Sequence, residues 1–249
     1  PESMRNSGQH ALNHAQKGEH AHFDGVKVIS GQPPQYWDHT LTPILDDNGL
    51  TQSILCVSRD ISPQKIAEKK LKQLCEEFPS VSIAVYETER FLVSGTLADI
   101  EEFSERAKKE GAGRIKAADV IEGYHTPALQ NLLDQVSVYL PKVDFNTPEF
   151  TVFGGIDGKP ITSHKKVQES LMNQIVKPLQ WKNVLKQFAD YDMLLVPGPS
   201  KALVKELTAL YPDKTILGIE TMADVQMLQT LVQGEVVEGT FAYAIDKNY

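Results

Sequence analysis

The tail of the chain constrains the fold most. Residues 193–196 form an apolar run, 200–210 an amphipathic stretch, 215–217 a second apolar run and 222–232 a second amphipathic stretch. Strands alternating with helices predict a parallel sheet flanked by helices. The first sixty residues carry the opposite pattern. Residues 26–29, 36–45 and 52–57 are strand-like runs of β-branched and aromatic residues, after a short helical stretch at 10–17. Asp46-Asp47-Asn48-Gly49 predicts a hairpin turn, because Asn-Gly accepts positive φ at low cost. Residues 37–44 alternate sides, as a half-buried strand should.

Between these ends the periodicity changes several times. Residues 63–77 read as a charged helix with a narrow apolar stripe of Ile66, Leu71 and Leu74, a linker helix or a coiled-coil seam. Residues 81–86 and 91–93 read as strands. Residues 97–111 read as a helix with Ile100, Phe103 and Ala107 on one face and Gly111 as its stop. A strand at 114–120 and a helix at 127–140 complete a β-β-α-β-α pattern, which predicts a ferredoxin-like subdomain. A strand at 150–154 and helices at 163–176 and 181–189 lead into the tail.

Composition excludes several classes. The 249 residues are 41% hydrophobic and 23% charged, a globular balance. No apolar run approaches the roughly 18 residues that span a bilayer, and no signal-peptide pattern is present. The chain opens at Pro1, which we read as a fragment or domain boundary. Two cysteines, Cys56 and Cys75, without metal-type spacing fit a reducing, cytoplasmic setting. A formal net charge of −8 argues against a phosphate-binding surface, and so against a nucleic-acid partner.

One histidine stands out. In Ile121-Glu122-Gly123-Tyr124-His125-Thr126-Pro127, an extended run gives way to a helix. Gly123 lets the backbone pass closely, and Thr126-Pro127 starts the helix. Imidazole suits a base that takes a proton near neutral pH. Downstream follow Asn173-Gln174-Ile175, Pro178-Leu179-Gln180-Trp181 and Val196-Pro197-Gly198-Pro199-Ser200. In that order these pieces resemble the C-terminal half of a malonyl-CoA:acyl-carrier-protein transacylase. The resemblance implies that His125 is the catalytic base, that the Gln174 backbone carbonyl accepts its Nδ1–H, and that Tyr124 favours malonyl over methylmalonyl substrates. It implies malonyl-CoA and an acyl carrier protein as partners, with no cofactor and no metal. The departures are large. The chain has no G-x-S-x-G nucleophile turn. Gly154-Gly155 stands where members often show Ser-Asn, Val196-Pro197 where they show Glu, and Val85 where they show Asn.

Residues 1–62 resemble the C-terminal half of a PAS domain, on Gly18-Glu19, Trp37, Pro43-Ile44, Asp47-x-Gly49 and the closing Val57-Ser58-Arg59-Asp60-Ile61-Ser62. The resemblance implies the last three strands of a five-stranded sheet, with Asp60 tied to the exit helix.

Other features have plainer readings. Ser200 sits at a strand–turn–helix junction like a nucleophile elbow, but Ala202 replaces the second glycine, and an N-cap whose hydroxyl accepts a backbone N–H fits better. His10, His14, His20 and His22 could hold zinc or lie on the surface. Lys108, Lys109, Arg114, Lys116, Lys165, Lys166, Lys177 and Lys182 could dock an acidic carrier protein or be solvated helix faces.

The expected architecture is α/β: a partial antiparallel PAS sheet (1–62), a linker helix (63–79), a transacylase-like region (80–233) that joins a ferredoxin-like subdomain to part of an α/β-hydrolase-like parallel sheet, and an unassigned tail (234–249). The expected function is malonyl transfer through an acyl-serine, incomplete because the nucleophile is absent. The alternative is a PAS-type sensory or interaction module with a non-catalytic acyltransferase-like scaffold.

Overall fold

The Asp46–Gly49 turn organises the first sheet. Asp46 Oδ1 accepts the N–H groups of Asn48 and Leu50, both at 2.9 Å, and Gly49 supplies the positive φ of 78°. In this computed structural model, which describes residues 2–118 and 123–232, strands β1 (Ala21–Lys27), β2 (Gln35–Leu45) and β3 (Thr51–Asp60) pair antiparallel in that order. Register sets Leu41 opposite Ala21 and Cys56. Helix α1 (Glu2–Gln16) covers the Leu41 face. Ala11, Ala15 and Leu41 are buried there, with Leu12, Ala21, Phe23 and Ile54 packed around them. The opposite face carries Ile44, Leu55 and Val57, each about half exposed.

Two expectations shift here. The helix begins well before residue 10, and the first strand lies at 21–27 where 26–29 was expected. Cross-strand partners decide the strand: Phe23 stacks on His39 with ring centroids 4.5 Å apart, a gain that local propensity does not register.

Helix α2 (Ser62–Glu76) follows directly. Asp60 Oδ1 accepts the Ser62 N–H at 2.8 Å, and Ser62 Oγ accepts the Tyr36 N–H at 2.7 Å. The main core lies between α2, β4 (Ser82–Tyr86), β5 (Phe91–Ser94) and α3 (Leu97–Lys109). Leu74, Phe78, Val81, Phe103 and Ala107 are buried together, flanked by Leu71, Cys75, Val93 and Ile100. Phe78 and Phe103 meet edge to face at 5.6 Å. Burial pushes the Cys75 thiol up to about 11.

β4 and β5 pair antiparallel. The other edge of β4 is taken by a distant residue: Leu179 N–H donates to Ala84 O, and Tyr86 N–H donates to Leu179 O, both at 2.8 Å. That occupancy leaves no edge of β4 for the strand expected at 114–120. Residues 114–118 are irregular, and 119–120 lie outside the described residues. The expected strand at 150–154 reduces to one bridge between Phe153 and Pro160, because Gly154 turns the chain immediately: its carbonyl accepts the Gly158 N–H at 2.8 Å.

The helix expected at 127–140 divides into a 3₁₀ turn (Pro127–Leu129), α4 (Gln130–Tyr139) and a second 3₁₀ turn (Leu140–Lys142) at Pro141. Helix α5 (His164–Val176) is capped by Ser163 Oγ, which accepts the Lys166 N–H at 3.3 Å. Helix α6 (Trp181–Lys186) is shorter than the expected 181–189. Two of its residues, one turn apart, reach the N-terminal elements. Lys182 pairs with Glu68 of α2 at 3.5 Å, and Lys186 pairs with Asp38 of β2 at 2.9 Å and Asp24 of β1 at 3.8 Å.

The chain separates into two compact units, Pro1–Asp190 and Tyr191–Tyr249. The cut falls inside the stretch expected to be one region, 80–233. In the second unit β6 (Met193–Pro197) and β7 (Thr215–Ile219) pair in parallel, joined by α7 (Lys201–Leu210) and followed by α8 (Met222–Val232), as the alternation predicts. Leu194, Val196, Leu207 and Leu217 are buried there. The tail from 233 lies outside the described residues. Among the described residues no helix is long and apolar enough to cross a membrane.

Candidate active site

His125 has a φ of 61°, a left-handed conformation uncommon for a residue other than glycine. Its neighbours hold it there. A Cβ on Gly123 would lie 1.9 Å from Ser94 Oγ, so the segment passes close to the end of β5 and a larger residue would require the Ser94 side chain to move. Thr126 on the other side is fully buried and extended, and Pro127 starts the 3₁₀ turn. Residues 121–122 of the motif lie outside the described residues.

Among the described residues one polar contact places the ring: His125 Nδ1 lies 2.5 Å from the backbone oxygen of Gln174 in the last turn of α5. A carbonyl oxygen only accepts, so the contact is a hydrogen bond when Nδ1 carries the proton. Neutral imidazole protonated on Nδ1 has its lone pair on Nε2. This arrangement can take a proton at Nε2 and stabilise the resulting imidazolium through the Gln174 carbonyl. Gln174 contributes its main chain here. Tyr124 is 53% exposed, with its ring centroid 6.3 Å from that of His125. Among the described residues no hydroxyl or thiol is hydrogen-bonded to the His125 ring.

Ser200 is buried at the start of α7, and both its N–H and its Oγ–H donate to Glu220 Oε1, at 2.8 and 2.9 Å. The expected cap bond is therefore absent. The hydroxyl donates to a carboxylate, the stronger acceptor, and does not accept from α7. These bonds hold the Glu220 carboxyl below the usual range. The position leaves little space: a Cβ on Gly218 would lie 2.6 Å from Ser200 Oγ.

The N-terminal histidines are held by different contacts: His10 and His14 lie ring to ring, with centroids 4.7 Å apart. His14 Nδ1 lies against the Glu19 carboxylate, and His22 Nδ1 meets Thr40 Oγ1 at 3.0 Å. Burial, and then the charge of Lys186, hold His22 below the usual imidazole range. Among the described residues no three His, Cys, Asp or Glu side chains gather to hold a metal.

Sequence reasoning missed a polar cluster under α2. Glu68 and Lys182 are 15% and 18% exposed. Lys72 and Lys182 both lie over the buried Tyr86 ring, at 5.5 and 5.6 Å. Lys182 thus leaves the group of basic residues expected to face a carrier protein, and Lys108 pairs with Glu105 at 2.7 Å. The i, i+4 spacing of Glu68 and Lys72 was the available signal.

No family model matches the chain. It is 30% identical over 122 residues to the probable mitochondrial malonyl-CoA-acyl carrier protein transacylase of Drosophila melanogaster, covering 47% of this chain and 32% of that protein. It is 24% identical over 139 residues to the malonyl CoA-acyl carrier protein transacylase of Staphylococcus aureus, covering 55% of this chain and 45% of that protein. Among solved structures, a malonyl-transacylase in complex with a type II PKS acyl-carrier protein superposes with a TM-score of 0.59 at 20% identity, over 65% of this chain and 55% of the other. The chain thus spans less than half the length of these two curated relatives. It shares homology with malonyl-CoA:acyl-carrier-protein transacylases over about half its own length, and its mixed α/β structure has neighbours in the transacylase fold.

Proposed function

We propose that residues 80–233 are the histidine-bearing half of a malonyl-CoA:acyl-carrier-protein transacylase, with His125 as base, Gln174 as its orienter and the nucleophilic serine supplied from outside this stretch. The observation that carries the reading is the His125 Nδ1 to Gln174 O contact at 2.5 Å, together with the homology. In the proposed reaction Nε2 removes the serine proton as the serine oxygen attacks the thioester carbonyl of malonyl-CoA. The tetrahedral intermediate collapses, the C–S bond breaks, and the CoA sulfur leaves with the proton held by His125. The carrier-protein thiol then gives its proton to Nε2, attacks the acyl-serine, and the serine oxygen recovers a proton from His125. Tyr124, beside the base and exposed, is the residue we assign to restricting the acyl pocket against an α-methyl branch. The net charge of −8 fits neither a nucleic-acid partner nor an extended basic surface.

A chimera tests this directly. The serine-bearing half of the Staphylococcus aureus relative is fused ahead of residue 62, so that α2 and its Leu74 and Phe78 stay in the core, and transfer of radiolabelled malonyl from malonyl-CoA to acyl carrier protein is measured. Transfer is expected, with a loss of about 10³-fold or more in His125→Ala. Transfer unchanged by that substitution would remove His125 from the mechanism.

For the flanking regions we read 1–62 as PAS-type and 63–79 as its exit helix. Three antiparallel strands under one helix support this, as does Asp60 receiving the Ser62 N–H. The order β4-β5-α3 supports the ferredoxin-like reading in part. The sensory or interaction role stands as the second reading. It is favoured by the half-exposed apolar face of that sheet and by the two ion pairs through which α6 meets β2 and α2.

A further inference from the structure

Among the described residues nothing but His125 donates to the Gln174 carbonyl, and the reason is Pro178. In an α-helix each carbonyl is claimed by the N–H four residues on. At the end of α5, Asn173 O accepts the Lys177 N–H at 2.8 Å. The next donor in that series would come from residue 178, which is proline and has no N–H. The following donors are engaged elsewhere: Leu179 N–H donates to Ala84 O at 2.8 Å, and Gln180 N–H to Gly155 O at 2.7 Å. Proline also excludes the helical conformation from the residue before it, and Lys177 is extended, with φ −110° and ψ 145°. The chain therefore leaves the helix at Lys177, the donor of its last bond, and runs onto the edge of β4. Gln174 O is left as an acceptor at a helix end, where the peptide dipoles concentrate negative charge, and His125 Nδ1 fills it.

We infer that Pro178 is a positioning residue: by withholding an N–H from the Gln174 carbonyl it fixes the His125 proton on Nδ1 and leaves Nε2 basic. The inference rests on the reading of His125 as a base, but concerns the proton and not the acyl group. Its test therefore uses a readout that needs no turnover.

That readout is the tautomer of His125, measured by long-range ¹H–¹⁵N correlation on the labelled full chain, with His125→Gln to assign the signals. Two substitutions at 178 are compared: alanine, and lactic acid introduced as an α-hydroxy acid, which has alanine's side chain but no backbone N–H. The wild type and the lactate variant are expected to hold Nδ1–H over Nε2–H by about tenfold, the scale of one hydrogen bond. In Pro178→Ala the new N–H competes for the carbonyl, and the preference falls toward parity. The inference is overturned if Pro178→Ala keeps the wild-type tautomer, or if the alanine and lactate variants change alike, which would assign the effect to the ring of proline and not to the missing donor. A chimera that transfers malonyl poorly while the tautomer pattern holds would count against the acyl-transfer reading alone.

Discussion

Two stretches of the first unit, similar in apolar content, use it differently. Between residues 71 and 107, α2, α3, β4 and β5 turn Leu74, Phe78, Val81, Phe103 and Ala107 toward one another and bury them. Between 124 and 150, α4 buries no residue, and Tyr124, Leu132, Val138, Tyr139, Val143 and Phe150 remain 45% to 79% exposed. The first stretch is a finished core. The second leaves these aromatic and aliphatic side chains largely in water, and one of them, Tyr124, adjoins a histidine whose Nδ1 is already hydrogen-bonded. The first stretch completes its burial within the chain, and the stretch that carries His125 does not. That is the pattern expected if 80–233 supplies one half of an active site.

Substitutions on either side sharpen the contrast. The largest effect is expected in the finished core: Phe103→Ala removes a buried ring packed edge-on against Phe78 and should cost about 3–5 kcal/mol in urea unfolding. A cost below about 1 kcal/mol would show that this core is loosely packed.

An intermediate effect is expected at the polar cluster under α2. Glu68→Gln keeps the shape but removes the charge facing Lys72 and Lys182, and should cost about 1–3 kcal/mol near neutral pH. Burial raises the Glu68 carboxyl, but the Lys72 hydrogen bond and the nearby lysine charges outweigh it, so the group is held below its usual range. A depressed carboxylate stabilises the folded state above its unfolded pKa of about 4.3 and loses that contribution as pH falls through the folded value. The difference between wild type and Glu68→Gln should therefore shrink on acidification below that point. A difference that persists or grows would contradict the assignment.

The smallest effect is expected on the unfinished surface. Tyr139→Ser, at 67% exposure, should change unfolding free energy by no more than about 0.5 kcal/mol while reducing concentration-dependent association in sedimentation velocity. A large stability loss would mean that α4 is packed within this chain after all.

Legibility in the sequence followed locality. The Asn-Gly hairpin, the α3 stop near Gly111 and the βαβα tail are set by neighbours in the chain, and the structure places them near their expected bounds. The strand expected at 114–120 is irregular over its described residues, 114–118, for a non-local reason: the edge of β4 pairs at Val85 with Leu179, far along the chain, in a pairing that no window of sequence displays. The N-cap at Ser200 failed similarly, through a carboxylate twenty residues downstream. At the candidate site the motif pointed to His125 and Gln174 by resemblance. The physical reason for their contact, a proline four residues after Gln174, was present in the sequence but carries meaning only once α5 is seen to end there.

On the proposed function, this chain holds a base, His125, without its nucleophile. The most direct measurement is covalent labelling. The chain is incubated with radiolabelled malonyl-CoA, alone and mixed with the serine-bearing half of a transacylase, then denatured in acid and separated by mass. The expected result is label on the serine-bearing partner only, dependent on His125. Stable label on this chain by itself, at Ser200 or any other hydroxyl or thiol, would contradict the claim.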